Sequence, residues 1–370
     1  MPELSRRTIP RWLFIPGATY LVARFTTLLV LGIVDAIGGE SLHGQLMRWD
    51  TKWYLKAAVD GWPRHLIYVH GHVQSSTLAF FPTLPLAMRW SAHLTGLSAF
   101  QTGLIISFVT GLSATLAVSL LVRSFTNDTE AAKAGVVFAV FPATYIFNLV
   151  YAEGIMLTAV ALGLYFLIKR QWVWAGLLGA LATFTGPIAL AFVVPCVYAA
   201  VRELHLQRTW RSLWAPLLAP LGFLGFMAWA WRHTGVLNAW RLTERGGWKG
   251  YPSLWYTPHL FIEIVRDPIA PVITTWIVAV GTVVALVGLY LGWRRRQPLV
   301  VWLYGAASTF LAFISAPVGL RPRFVLIAFP VLIAYSTTLK GKRWWLLVVV
   351  CVILLVATTA QELFNWEVFP

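Results

Sequence analysis

Apolar stretches of membrane-crossing length recur about 11 times along this chain of 370 residues, and they constrain its fold more than any other feature. Each is close to the roughly 20 residues that an α-helix needs to cross a hydrocarbon core about 30 Å thick. Because lipid cannot hydrogen-bond to an exposed backbone, such segments must be helical. The sequence therefore predicts an all-α, polytopic integral membrane protein. The predicted spans are 12–36, 99–122, 134–150, 153–168, 171–186, 187–201, 212–232, 271–292, 298–316, 324–339 and 344–361.

The net charge of +15 would suggest a nucleic-acid partner in a soluble protein. Here most basic residues fall into short loops on the side of the N-terminus, which carries Arg6, Arg7 and Arg11. The positive-inside rule places that side in the cytoplasm, so the excess charge reflects topology and no nucleic-acid partner is expected. No internal repeat or polar linker divides the chain, and we expect residues 1–370 to form one membrane domain.

Two loops, 37–98 and 233–270, are too long to be simple turns, and the topology places both outside. Long ordered loops usually carry function, so we expect the site to be built from them. Within the first loop, Trp49 to Val59 lacks Gly and Pro and predicts a short amphipathic helix along the membrane surface. Phe80 to Trp90 predicts a second, re-entrant or interfacial helix, entered through prolines.

Asp50 is the candidate catalytic residue, because it is an acidic group framed by aromatic residues just outside the first span. A positioned carboxylate that takes the proton of a hydroxyl nucleophile accelerates transfer roughly 10²–10⁴-fold, and one base suffices for an inverting displacement. The alternative is that Asp50 stabilises the N-terminus of a surface helix. The residue chemistry alone does not decide between these two interpretations.

Five motifs in this order resemble the PIG-V type mannosyltransferases, a family that includes the second GPI mannosyltransferase of eukaryotes and bacterial relatives, within the GT-C glycosyltransferases. They are Trp49-Asp50-x-x-Trp53-Tyr54-Leu55, Ala79-Phe80-Phe81-Pro82-x-x-Pro85-Leu86, Phe141-Pro142-Ala143 with Tyr151-Ala152-Glu153, Arg323-Phe324 before Ala328-Phe329-Pro330, and more weakly Gly235 to Trp240 with Gly247-Trp248.

The resemblance implies a GT-C fold, a polyprenyl-phosphate-linked mannose as donor and a lipid-linked glycan or glycolipid as acceptor. It implies that Asp50 is the base, on the external or lumenal face. The aromatic residues of the matching motifs are then expected to bind substrate: Trp49, Trp53, Tyr54 and Trp248. A bacterial plasma membrane is favoured over the endoplasmic reticulum, and an accessory subunit is left open.

Three further charged residues are candidates for substrate binding. Glu153 falls in a very short connection between two apolar spans, where an ionised group needs partners or a cavity; a plain interfacial turn residue is the alternative. Arg321 and Arg323 flank Pro322 in a short external turn and could stabilise the departing phosphate, or could snorkel to lipid headgroups instead. Weaker alternatives for the phosphate are Lys52, Arg241, Arg245 and Lys249.

No metal or other cofactor is expected. His65, His70 and His72 lack a third ligand at suitable spacing, and the chain has neither Asp-x-Asp nor a phosphate-binding Gly-rich loop. A nucleotide-sugar donor is therefore disfavoured, and a lipid-phosphate donor acts as co-substrate. Two other classes remain open: a flippase or transporter of lipid-linked sugars, disfavoured by the lack of paired half-repeats, and a non-catalytic subunit with the same fold.

Overall fold

The computed structural model describes residues 9–269 and 271–361, and helices dominate it. Arg6 and Arg7, on which the predicted orientation partly rests, lie outside the described residues. The α-helices are α1 (Arg11–Ala36), α2 (Leu42–Leu46), α3 (Asp50–Val59), α4 (Thr83–Thr95), α5 (Ala99–Arg123), α6 (Asp128–Val140), α7 (Glu153–Ile168), α8 (Trp172–Thr183), α9 (Val193–Gln207), α10 (Trp214–Leu218), α11 (Leu221–Thr234), α12 (Ala239–Gly247), α13 (Tyr256–Arg266), α14 (Ile273–Arg294), α15 (Leu299–Phe313), α16 (Pro322–Ile327), α17 (Pro330–Thr338) and α18 (Lys342–Thr359).

Short 3₁₀ segments and two small antiparallel ladders join these helices. The 3₁₀ segments are Thr77–Ala79, Pro142–Asn148, Pro187–Phe192 and Trp210–Leu213. The strands are β1 (Tyr68–Val69) paired with β2 (His72–Val73), and β3 (Tyr251–Pro252) paired with β4 (Ser315–Ala316). In the second ladder Tyr251 faces Ala316, so it ties the second long loop to the segment that leads into Arg321 and Arg323.

Five helical stretches in the described part of the chain are long and apolar enough to cross a membrane: α1, α5, Pro187–Gln207, α14 and α18. Two bent pairs add to them if each pair is one span, and α7, α8 and α15 are shorter apolar helices. All of these coincide with predicted spans. The prediction of an all-α, polytopic integral membrane protein is confirmed.

Three predicted spans are not continuous helices. The span 134–150 bends by 71° between α6 and the segment Pro142–Asn148, and the span 212–232 bends by 42° between α10 and α11. The span 324–339 is divided into α16 and α17. Pro142, Pro220 and Pro330 stand at these breaks, where proline lacks an N–H and clashes with the preceding turn. Apolar composition alone could not show that these spans are broken.

The bend after α6 is held by a buried arginine of α1. The Arg24 guanidinium, 1% exposed, donates to the carbonyl and hydroxyl oxygens of Thr144 and to Oδ1 of Asn148 at 3.1 Å. These bonds satisfy backbone and side-chain groups that the bend leaves without helical partners. Because the chain then continues directly into Tyr151 and Glu153, this contact fixes where the charged N-terminus of α7 lies.

Small residues bring α5 and α7 into backbone contact. A Cβ on Gly154 would lie 2.4 Å from Oγ1 of Thr110 and 2.8 Å from the backbone nitrogen of Gly111, so only glycine fits there. Close approach at small residues is a common way for helices to associate in a membrane. The contact fixes the start of α7 next to the first long loop.

The two helices predicted in the first long loop are present. α3 covers the predicted segment Trp49 to Val59 except for its first residue, and α4 begins three residues after Phe80. Ser98 and Gln101 form a capping box that ends this loop and starts α5. The loop therefore forms a helical layer on the membrane-spanning bundle.

Candidate active site

Three charged side chains from distant parts of the chain meet at Arg323. Its Nη1 lies 2.6 Å from Oδ2 of Asp50, and its Nε lies 3.5 Å from Oε1 of Glu153. Asp50 begins α3, Glu153 begins α7, and Arg323 lies in the first turn of α16. Their side chains are 25, 11 and 18% exposed, in that order. The guanidinium of Arg323 is thus shared by two carboxylates at a site that is largely shielded from water. The electrostatic attraction between paired charges is strong at such a site.

α3 is anchored so that Asp50 faces this cation. The hydroxyl of Thr51 accepts a hydrogen bond from the backbone N–H of Val150 at 3.2 Å, and the Asp50 N–H donates to the Tyr151 hydroxyl at 3.4 Å. Trp49, just before the helix, has φ 50° and ψ −120°, which is rare for a bulky residue. Backbone strain of this kind is found where the surroundings hold a functional group in place.

The structure bears on the capping interpretation of Asp50. Trp49, not Asp50, occupies the N-cap position, and it makes no side-chain capping bond. Asp50 lies in the first turn of α3, where the helix dipole favours an anion, but its carboxylate accepts from Arg323. Helix stabilisation therefore does not account for where the carboxylate points.

Aromatic side chains of both long loops form one cluster beside these charges. Trp53 stacks on Phe80 with ring centroids 6.0 Å apart, and the Trp248 ring meets Trp53 at 5.2 Å and Phe80 at 5.6 Å. Trp53 and Tyr54 follow Asp50 by three and four residues, so all three share one side of α3. The cluster brings together residues that are almost two hundred positions apart.

Tyr54 and Trp49 occupy more buried positions. Tyr54 packs edge-on against Phe80, with ring centroids 5.0 Å apart. Burial, with the charges of Glu153 and Asp50 acting in the same direction, raises the pKa of Tyr54 well above its ordinary value, so its phenol stays neutral. The Trp49 ring contacts Tyr145 at 6.2 Å and the guanidinium of Arg48 at 5.9 Å.

Arg321 lies one residue before α16, close enough to Arg323 and Tyr256 to interact with both electrostatically. Burial lowers the pKa of Arg321, and the positive charge of Arg323 acts in the same direction. A guanidinium still keeps its charge near neutral pH. The weaker candidates for a phosphate contact have exposed side chains: Lys52, Arg241, Arg245 and Lys249.

Sequence reasoning missed Glu244, which lies on α12 in the second long loop. Burial, with the charge of Asp50 acting in the same direction and Arg323 opposing it, raises the pKa of Glu244 to about 7. The sequence did carry a signal, since Trp240, Glu244 and Trp248 are spaced by four residues and so share one side of a helix.

Metal independence stays a prediction. In residues 9–269 and 271–361 no three His, Cys, Asp or Glu side chains lie together in a way that could hold a metal ion. Of the three histidines considered, His72 belongs to β2, and His70 lies in the turn between β1 and β2 with φ 49°.

Comparison with known proteins shows the fold. No protein-family model matches the sequence, and no curated protein matches it. The chain is similar to ArnT from Cupriavidus metallidurans bound to undecaprenyl phosphate, with a TM-score of 0.56, 15% identity, and coverage of 93% of this chain and 63% of ArnT. Apo ArnT gives a TM-score of 0.55, 17% identity, and 92 and 62% coverage.

A third solved structure, the oligosaccharyltransferase of Archaeoglobus fulgidus with zinc and sulfate, gives a TM-score of 0.47 at 14% identity, over 92% of this chain and 53% of that one. The chain spans less than two thirds of the length of ArnT. The similarity to ArnT shows that this chain has the GT-C membrane fold, as the motifs predicted.

Proposed function

We propose that this protein is an inverting GT-C glycosyltransferase that moves mannose from a polyprenyl-phosphate donor to a lipid-linked glycan or glycolipid. The observation that carries the proposal is the meeting of Asp50 and Glu153 at Arg323, beside an aromatic cluster built from both long loops. The arrangement occurs in a fold similar to that of ArnT, whose structure contains bound undecaprenyl phosphate.

In the proposed reaction Asp50 acts as the base. A hydroxyl oxygen of the acceptor attacks C1 of the donor sugar, and the C1–O bond to the phosphate breaks with its electron pair leaving on the polyprenyl phosphate. The hydroxyl proton passes to the Asp50 carboxylate. Arg323 holds that carboxylate by the 2.6 Å contact, so the base is oriented before the substrate arrives.

The two arginines before and within α16 suit the leaving phosphate. Arg323 contacts two carboxylates, and Arg321 adds a second positive charge beside it. A phosphate that carries negative charge as the sugar departs is stabilised by such preorganised cations. In this proposal Arg321 makes the main phosphate contact, and Arg323 links the phosphate to the base.

The finer parts of the proposal come from the PIG-V type motifs. They support mannose as the transferred sugar and a glycolipid or lipid-linked glycan as the acceptor. They also support the external face of a bacterial plasma membrane as the location of the reaction. Trp53 and Trp248 offer aromatic faces to a sugar ring, and Tyr54 packs against Phe80 of the same cluster. Trp49 is proposed as a substrate contact from the motif alone. The proposed chemistry requires no metal or nucleotide.

The proposal is tested with purified protein reconstituted into liposomes that contain polyprenyl-phosphate [¹⁴C]mannose and total membrane lipid of a bacterial source. We expect labelled glycolipid with this donor and none with GDP-mannose. Movement of the labelled donor between leaflets without product would support a flippase. Absence of both product and movement, with restoration by a co-purified partner that is itself active, would support a non-catalytic subunit.

A further inference from the structure

Glu244 is a carboxylate beside the site that the proposed mechanism does not use. Its backbone carbonyl accepts hydrogen bonds from the N–H groups of Trp248 at 3.0 Å and Gly250 at 3.2 Å. In the described part of the chain its side chain forms no ion pair or hydrogen bond, whereas Asp50 and Glu153 both contact Arg323. A polar group that is partly buried without a partner is costly unless something else supplies hydrogen bonds.

α12 presents Glu244 between two tryptophans. Trp240 and Glu244 lie one turn apart on one side of the helix, and Trp248 follows at its C-terminal end, where its N–H donates to the Glu244 carbonyl, while Arg241 and Arg245 are exposed. Trp240 packs on Phe81 with ring centroids 6.1 Å apart, so this side of α12 faces the first long loop. Asp50, Tyr54 and Arg323 all interact electrostatically with Glu244 across that contact.

The end of α12 is held firmly against the first loop. A Cβ on Gly246 would lie 2.2 Å from the carbonyl oxygen of Val73, and one on Gly247 would lie 2.6 Å from Cα of Ser75. These close approaches fix the helix next to the strand β2 and the residues that follow it. The position of Glu244 relative to the Trp53–Trp248 pair is therefore set by backbone packing, as a preorganised binding group requires.

We propose that Trp53, Trp248 and Glu244 form a subsite for one pyranose ring, in which the carboxylate of Glu244 hydrogen-bonds to ring hydroxyls and the indole rings cover the apolar face. The subsite rests on the proposed glycosyl transfer. It would take either the sugar of the donor or the terminal sugar of the acceptor, since both offer the same ring and hydroxyls. An aromatic face beside a carboxylate matches the amphipathic surface of a sugar.

The titration of Glu244 agrees with this role. The groups that face it are Asp50 and Tyr54 of α3 and Arg323 of α16, and its own helix adds the exposed Arg241 and Arg245. Because burial and the charge of Asp50 raise its pKa to about 7, protonated and ionised forms both occur near neutral pH. The side chain can then accept from one hydroxyl and donate to another.

The test uses Glu244→Ala and the isosteric Glu244→Gln in the full-length reconstituted protein. Glu263→Gln is the matched control, because Glu263 lies in the same loop, on α13, and its side chain is 45% exposed beside His259. We expect Glu244→Ala to raise one KM about 10- to 100-fold, as loss of a hydrogen bond to a charged group does, and Glu244→Gln to raise it less. A higher KM for polyprenyl-phosphate mannose places the donor sugar in the subsite, and a higher KM for the acceptor places that sugar there.

A binding measurement separates this proposal from the transfer reaction. Saturation-transfer NMR with the methyl glycosides of mannose, glucose and galactose reports weak binding without turnover. We expect a signal with the wild-type protein and the Glu263→Gln control, and its loss in Glu244→Ala and Trp248→Ala. Equal signals from all four proteins, or none from the wild type, would overturn the subsite even if sugar transfer is active. Binding with no transfer would overturn only the proposed reaction.

Discussion

The shared arginine predicts an asymmetric response to mutation. Arg323→Gln leaves the carboxylates of Asp50 and Glu153 without their common cation, whereas Asp50→Asn leaves Arg323 with Glu153 at 3.5 Å. A pair of unit charges about 4 Å apart interacts by about 4 kcal/mol at an effective dielectric constant of 20. Removing one partner of a buried pair costs roughly 3–5 kcal/mol. Since the Asp50 and Arg323 side chains are 25 and 18% exposed, we expect the lower end, about 3 kcal/mol, for Arg323→Gln.

Asp50→Asn should destabilise less, by about 1 kcal/mol, because Arg323 keeps Glu153 as a partner and no charge is left unpaired. In the double variant only Glu153 remains unpaired, so its cost should fall below the sum of the two single costs by roughly 2 kcal/mol. The measurement is a double-mutant cycle, in which unfolding free energies are determined in mixed detergent micelles for the wild type, the two single variants and the double variant. Arg64→Gln, whose side chain is exposed in the first long loop, serves as the control, and it should show no comparable coupling with Asp50→Asn.

Additive effects of Arg323→Gln and Asp50→Asn within about 0.5 kcal/mol would show that the two charges are not paired, because the effects of independent sites add and those of paired charges do not. A greater loss from Asp50→Asn than from Arg323→Gln would show the same. Either result would mean that the two side chains do not share their charge in the folded protein.

Three further expectations follow from the same structure. The raised pKa of Glu244 means that the folded state binds its proton more tightly than the unfolded state, so its stabilising effect is present below pH 4.5 and is lost as pH rises through about 7. Glu244→Gln should therefore be more stable than wild type at pH 8, by roughly 1–2 kcal/mol after solvent screening, and equal to it near pH 4.5 in thermal unfolding scans. Gly154→Ala should destabilise the folded protein by roughly 1–3 kcal/mol, because the added Cβ meets the α5 backbone. Gly225→Ala is the control and should not destabilise it, because the space around Gly225 is open. Expression level and thermal stability of the two variants check this prediction. Trp53→Ala should raise the KM of one sugar substrate about 2- to 10-fold at nearly constant kcat, as loss of an aromatic contact predicts, and an unchanged KM would count against the aromatic cluster as a binding surface.

The sequence predicted the fold class because the relevant signal is local. A stretch of about 20 apolar residues forms a helix in lipid, whichever residues surround it. The same reasoning was wrong about the continuity of the spans at Pro142, Pro220 and Pro330, since a bend depends on the partners that receive the freed backbone groups. Arg24 is such a partner, and it comes from a helix more than a hundred residues earlier.

The candidate site was predictable where motif and chemistry agreed. Asp50, Glu153 and Arg323 were singled out separately, but nothing in the sequence showed that the arginine would contact both carboxylates. That contact depends on long-range packing, such as the close approach at Gly154 that fixes the start of α7. Glu244 was missed because its neighbours Arg241 and Arg245 are basic and exposed, as on an ordinary solvated helix. Only the packing of Trp240 and Trp248 shows which side faces the first loop.

In the proposed mechanism the carboxylate at position 50 takes the proton of the acceptor hydroxyl. The most direct test of this step is the single-turnover rate of mannose transfer with saturating polyprenyl-phosphate mannose, for wild type, Asp50→Asn and Asp60→Asn. Asp60 is the matched control, since it is the residue directly after the C-terminal end of α3, the helix that Asp50 begins. We expect a loss of about 10²-fold or more for Asp50→Asn with donor binding retained, and little change for Asp60→Asn. A rate for Asp50→Asn within a few-fold of wild type would contradict the proposed mechanism.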